Sequence, residues 1–275
     1  GAILPIARQG FVFPDGTVLE PRKMGGVISD GKIISEADME CTTDQNAILP
    51  IPDGAKPGDI VPDAVGITDY VLKFDLTANR GDCLNVLGIC RELSAILDRP
   101  LKKSPFDFTL ETSPRDVEFS VAIKDKKLCP RYSGRLLRDI KIEPSPVWMK
   151  RRLIACGMRP VNCIVDVTNY VMLETGQPLH AFDLDTLDGR AIVARRAKKG
   201  EAMTTLDGTK RQLSDDTLVI ADRKKPVAVA GVMGGALTEI TGKTQNMLLE
   251  SAHFDPRSVR RASLALGLRT EASLR

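Results

Sequence analysis

The residues best suited to chemistry lie in one segment, Val161 to Asp183 (VNCIVDVTNYVMLETGQPLHAFD), where His180 stands near Thr168, Asn169, Gln177 and Asp183. His180 is one of only two histidines in the 275 residues, and imidazole is the side chain that most readily takes or gives a proton near neutral pH. A helix so rich in hydrogen-bonding groups, ending in a Gly-Gln-Pro turn that presents a histidine, reads as the wall of a small pocket. Farther on, the run Ala230-Gly231-Val232-Met233-Gly234-Gly235 reads either as a tight turn or as a loop whose backbone N–H groups closely approach a ligand. Glu250 ends the apolar run in LLESAHF, so its carboxylate must be paired, solvated at a strand end or used on a ligand. His253, in SAHFDP, reads as part of a helix entry.

Other chemistries fit poorly. No GxSxG elbow accompanies the serines, and the glycine run lacks the GK[ST] ending of a phosphate-binding loop. Two histidines and six scattered cysteines without a CxxC pair argue against zinc and lead to the expectation of a reduced, cytoplasmic protein that spans no membrane. Cys83 and Cys90 fall on what reads as one helix, roughly 10 Å apart along its axis and beyond the ~7 Å reach of a disulfide. The 39 basic and 36 acidic residues leave a net charge of only +3, so attraction to a polyanion has to come from local clusters. Four such clusters lie in the second half: Lys150-Arg151-Arg152, Arg195-Arg196 with Lys198-Lys199, Arg223-Lys224-Lys225, and Arg257 with Arg260-Arg261. Any one alone reads as a solvated face; together they point to a phosphate-bearing partner.

The elements that must position these groups define an α+β, multidomain chain. Residues 1–62 carry short β-type runs and turn signals at Pro14-Asp15-Gly16 and Asp30-Gly31, a partial, OB-like β region. Residues 63–100 form a small α/β segment, with a strand at Tyr70–Leu76 and a helix capped by Asp82. A connector rich in proline and charge, residues 101–115, leads to a larger mixed α+β domain at 116–275. There, strands are expected at Val117–Ile123 and Tyr132–Ile140, then a helix with Ser145 as cap and Gly157 as stop, and a second from Asn162 to Gly176. Strands follow at Ala191–Arg196, Met203–Leu206, Lys210–Leu213, Leu218–Ala221, Val227–Val232 and Met247–Leu249, with a hairpin at Asp207-Gly208 and a last helix from Asp255-Pro256 to Gly267.

Four segments, LTANRGDCLNVLGICREL, VDVTNYVMLETGQPLHAFDLDTL, AGVMGG and LLESAHFDPRSVRRASLALGLRTEAS, closely resemble the β subunit of bacterial phenylalanyl-tRNA synthetase, from about residue 70 onward. The first 60 residues resemble the end of that family's OB-fold, tRNA-binding insert, with Lys32 and Ile34 where the pattern normally has Met and Cys. The resemblance implies that residues 116–275 are the editing domain, which hydrolyses tRNA-Phe mischarged with tyrosine. It places Glu250 on the tyrosine hydroxyl and the Ala230-Gly231 backbone along the side-chain slot. Arg159, Thr168, Asn169 and His180 would surround the terminal adenosine and the ester, with His180 orienting or activating water. It further implies the tRNA 3′ end and the synthetase α subunit as partners, in an α2β2 heterotetramer. ATP and magnesium would serve the full enzyme and no cofactor this segment, which is expected to be a fragment unable to aminoacylate alone. The rival reading is a non-catalytic tRNA-docking and assembly module with a degenerate pocket.

Overall fold

A computed structural model of the chain describes residues 2–40, 42, 47–52, 54–65, 70–102 and 119–275, so most of the expected connector lies outside the described residues. Short strands open the chain, β1 (Ile6–Arg8), β2 (Arg22–Met24), β3 (Val27–Ser29) and β4 (Gly31–Ile33), before a single-turn helix α1 (Val61–Ala64) and the longer α2 (Val86–Leu97). Next come β5 (Ser120–Ile123), β6 (Arg131–Leu137), α3 (Val147–Ala155), α4 (Cys163–Thr175) and β7 (Leu179–Asp183). The remainder is mostly β: β8 (Ala191–Arg196), β9 (Ala202–Thr204), β10 (Lys210–Gln212), β11 (Leu218–Ala221), β12 (Pro226–Val229), β13 (Met233–Gly234) and β14 (Met247–His253), then α5 (Pro256–Leu266) and α6 (Glu271–Leu274). Among the described residues no helix is long and apolar enough to cross a membrane.

The chain divides into two compact units, Gly1–Phe74 with Pro144–Asp166, and Asp75–Glu143 with Val167–Arg275, the division falling inside α4. The first unit pairs β1 with β4 and β2 with β3, all antiparallel. Its small core is Ala7, Ile34 and Leu49, with Phe11, Phe13, Val61 and Val147 packed against them. A core so small gains from polar fastening. Lys150 Nζ on α3 donates to Glu36 Oε2 at 2.6 Å, and both residues are buried. Ser145, expected to cap α3, instead donates from Oγ to Asp166 Oδ2 at 2.5 Å, and Asp166 Oδ1 accepts from the Val161 N–H at 2.8 Å. A buried carboxylate is costly unless its oxygens accept hydrogen bonds, and the Ser145 hydroxyl serves Asp166 Oδ2 as the Val161 N–H serves Oδ1.

The second unit is layered. The five-stranded sheet β13-β12-β11-β8-β5 is antiparallel except where β5 runs parallel to β8, and the three-stranded sheet β6-β14-β7 is antiparallel throughout. Side chains alternate across a strand, so β11 sends Leu218 and Ile220 into one core and Val219 into another. The first core joins the two sheets: Ile192 and Ala194 of β8 and Leu218 and Ile220 of β11 cluster with Phe182 of β7 and Leu248 of β14. In the second, Val219 and Val229 meet Ala262, Val259 and Leu266 of α5, which covers the other face. Full burial on both faces is why β11 and β12 read as unbroken apolar runs.

Several local expectations change. Tyr70–Leu76 forms no strand; Tyr70, Val71, Leu72 and Phe74 are exposed, and the segment is not laddered to any of the described strands. The α2 cap is Asn85, whose Oδ1 accepts from the Gly88 N–H at 2.7 Å, while Asp82 sits in a preceding 3-10 turn with Cys83. Cys83 and Cys90 therefore lie on different elements, and both are free thiols. The Gly176-Gln177-Pro178 turn forms, but His180 lies beyond it within strand β7, and β14 runs on to His253, well past Leu249.

Replacing Lys150 with Ala leaves the Glu36 carboxylate buried without its cation, and should cost roughly 3–5 kcal/mol in urea unfolding of the first unit. A Glu36→Leu, Lys150→Met double variant should recover most of that loss; equal loss in both would discount the ion pair.

Candidate functional site

Strand β14 is the middle strand of its sheet, and its alternation decides which groups face the layer between the sheets. Leu248 lies opposite Phe182 and Leu136; Glu250, two residues on, lies opposite His180 of β7 and Gly134 of β6. A carboxylate thus stands in the same inward row as core leucine and phenylalanine. Glu250 is only 7% exposed, and its Oε2 has no hydrogen-bond partner. Burial pushes its carboxyl up to about 7, while the nearby Tyr132 hydroxyl pulls in the opposite direction. The two groups are close enough to influence each other, yet Tyr132 Oη also lacks a partner of acceptable geometry.

His180 shares this face. Its ring meets Phe182 edge-on, with centroids 4.5 Å apart and planes at 84°. Although it keeps partial surface exposure, protein atoms enclose the ring closely enough that lost hydration pushes its imidazole down to about 4. It is therefore neutral at pH 7, with one nitrogen able to accept a proton and the other to donate.

The glycine run completes the arrangement. It is the turn between β12 and β13, closed by the Val232 N–H to Val229 carbonyl bond at 3.0 Å, with Gly231 at φ 68°. A Cβ on Gly231 would meet Val259 Cγ2 at 2.8 Å and Phe254 Cδ2 at 3.1 Å. One on Gly234 would lie 2.4 Å from His180 Cε1, so only glycine lets this backbone rest against the imidazole. Ala230, 2% exposed, belongs to the same core cluster as Phe182, Leu248, Tyr132 and Phe254.

The polar residues of Val161–Asp183 divide sharply. Asn162 Oδ1 caps α4 by accepting from Ile164 and Val165; Gln177 Nε2 donates to the Pro178 and Ala252 carbonyls at 2.9 and 3.1 Å. Asp183 accepts from Thr244 Oγ1 at 2.7 Å and from the Asp185 N–H. These three hold backbone together. Thr168, buried, and Asn169, half-buried, sit at adjacent positions of α4 in the second unit, whereas Arg159 is exposed and belongs to the first. The structure thus brings together His180, Glu250 and the Ala230–Gly234 turn. Sequence reasoning missed Tyr132 and Gly134, which sit on a strand whose partner is more than a hundred residues away.

Several of the basic groups are engaged. Arg195 Nη1 and Nη2 each donate to a Glu201 carboxylate oxygen at 2.7 Å, Arg196 pairs with Asp125, and Lys224 and Lys225 with Asp188. Asp82, Cys83 and Glu92 come close enough to suggest a metal site, but the Arg80 guanidinium reaches all three, at 2.8, 3.1 and 2.7 Å from Nη2, and supplies the cation itself.

Residues 128–275 match the B3/4 domain family, and the chain belongs to that family. The particular relatives are equally consistent. The chain is 44% identical to the phenylalanine–tRNA ligase β subunit of Carboxydothermus hydrogenoformans over 98% of its own length and 34% of that protein. For the corresponding subunits of Moorella thermoacetica and Dehalococcoides mccartyi (strain 195) the identities are 45% and 46%, covering 100% and 98% of this chain and 35% and 34% of theirs. The chain spans about a third of the length of these curated relatives.

Two outcomes follow from this geometry. Because Glu250 holds its proton more tightly folded than unfolded, its contribution to stability falls as pH rises from its ordinary 4.5 through about 7, by roughly 3 kcal/mol in all. The stability advantage of Glu250→Gln over the natural chain should therefore grow between pH 5 and pH 8 in urea unfolding; a constant difference would mean that the carboxyl is not desolvated. Gly234→Ala should displace the His180 ring and cost about 1–3 kcal/mol, visible in the histidine NMR resonances and in unfolding.

Proposed function

We propose that the chain is the hydrolytic editing module of a phenylalanine–tRNA ligase β subunit, removing tyrosine from mischarged tRNA-Phe. The observation that carries this reading is Glu250: a nearly fully buried carboxyl, unpartnered at Oε2, on an apolar face and beside a neutral histidine. A buried polar group without a partner is costly, and a ligand hydroxyl that completes its hydrogen bonding recovers the cost.

The need for such a site is physical. A pocket shaped for phenylalanine rejects an isostere carrying one extra hydroxyl by only about 10²-fold, whereas a site built to bond that hydroxyl discriminates by ~10⁴–10⁵. In the editing module the preference is reversed. Glu250 accepts the tyrosine hydroxyl, and the Ala230-Gly231 turn lines the slot for the ring. Water attacks the ester carbonyl, the bond to the ribose oxygen breaks, that oxygen takes a proton, and tyrosine leaves. His180 orients the water, its neutral nitrogen accepting a hydrogen bond. Thr168 and Asn169 offer hydroxyl and amide donors to the developing oxyanion. The reaction asks for no cofactor from this segment. The module works in the cytoplasm with the α subunit, which carries aminoacylation in an α2β2 enzyme.

His180→Ala and Glu250→Ala should each lower deacylation of Tyr-tRNA-Phe, by about a hundredfold and about ten- to a hundredfold respectively, with the fold retained. Deacylation is measured alongside Phe-tRNA-Phe; unchanged Tyr-tRNA-Phe hydrolysis in both variants refutes the site assignment, whereas no hydrolysis of either ester by the natural chain leaves a tRNA-docking module with a degenerate pocket.

A further inference from the structure

The editing reading uses Glu250 but leaves a second buried group without a task. Tyr132 lies on β6 opposite Ala252, one step along the inward row from the Gly134–Glu250 pair, so both side chains face the same layer. Gly134 has no side chain to separate them. Leu248 and the Tyr132 ring close over Gly134 instead: a Cβ there would stand 2.9 Å from Leu248 Cδ1 and 3.9 Å from Tyr132 Cε1. The ring packs in the apolar cluster with Leu136, Leu248 and Phe254, yet its buried hydroxyl oxygen and the buried Glu250 Oε2, though near enough to influence each other, make no hydrogen bond of acceptable geometry. The remaining polar neighbour, the Cys129 thiol, donates to the Arg131 carbonyl at 3.5 Å and is not available. Two adjacent buried groups are thus left over, one an acceptor and one a donor.

We propose that Tyr132 is a second specificity-determining residue of the pocket, donating its hydroxyl hydrogen to the phenolic oxygen of a bound tyrosyl group whose own hydrogen is accepted by the Glu250 carboxylate. A phenolic hydroxyl has one hydrogen to give and lone pairs to accept, so the two protein groups together match it from both sides. Phenylalanine satisfies neither and leaves both buried atoms unmet. Burial and the neighbouring Glu250 hold the Tyr132 hydroxyl protonated far above neutral pH, which keeps it a donor. The assignment rests on the editing reading and sharpens its substrate class to side chains bearing a para-hydroxyl.

The test uses the whole 275-residue chain and two unreactive mimics of the ester, L-tyrosinamide and L-phenylalaninamide, titrated by calorimetry into the natural chain and Tyr132→Phe. The natural chain should prefer tyrosinamide. Tyr132→Phe should lose about tenfold in tyrosinamide affinity, with phenylalaninamide affinity unchanged as proof that the pocket is still formed. An undiminished preference in Tyr132→Phe overturns the role of Tyr132 alone and leaves the Glu250 pocket standing. Equal weakening of both ligands reduces Tyr132 to packing and overturns it too. No preference in the natural chain defeats the editing pocket itself, and this inference with it.

Discussion

The structure turns on one constraint: a carboxylate held in the inward row of the middle strand of a sheet. Glu250 has β6 on one side and β7 on the other, so it cannot swing to an edge and reach water. Its neighbours along that row are Leu248, 1% exposed, and Ala252, and its position is dictated by the two-residue period of the strand. A one-residue slip would turn Glu250 outward and bring Leu249 in. Register is therefore what creates the site, and the apolar residues that enforce register, Phe182 opposite Leu248 above all, are part of its machinery without touching a ligand.

Desolvation then does two opposite things on the same face. It raises the Glu250 carboxyl and lowers the His180 imidazole, so each group is driven toward its neutral form near pH 7. Neither relies on the other as a counter-ion. Such an arrangement is costly to the fold and favourable to binding, since groups not already committed to protein partners keep their hydrogen-bonding capacity for a ligand. Other polar residues are committed: Gln177 and Asp183 are used on backbone and turns beside β7, and Asn162 caps α4.

The glycine turn shows how packing and site are coupled. Gly231 is pressed by Val259 of α5 and by Phe254, while Gly234 is pressed by His180 from the opposite sheet. Helix α5, bound to the outer face through Val259, Ala262 and Leu266, thus braces the turn from behind. An added methyl at either glycine would have to move a packed side chain, because interiors are filled to near crystalline density.

Much of this was legible in the sequence. The α+β class, the Asn162–Gly176 helix, the Asp207-Gly208 hairpin and the apolar strands β8, β11 and β12 follow from local period and turn chemistry, which neighbouring residues determine among themselves. Tyr70–Leu76 failed for the converse reason: its β-like pattern says nothing about whether a partner exists. By itself the sequence named His180, Glu250 and Gly231 as residues able to do chemistry, but it read the first as a turn residue and the second as a strand end. Only tertiary structure decided that both lie within strands, side by side, with Gly134 opposite Glu250 and Tyr132 one inward pair farther along. Pairing across a sheet joins positions separated by seventy to a hundred and twenty residues, and no local pattern records which inward row a carboxylate will share.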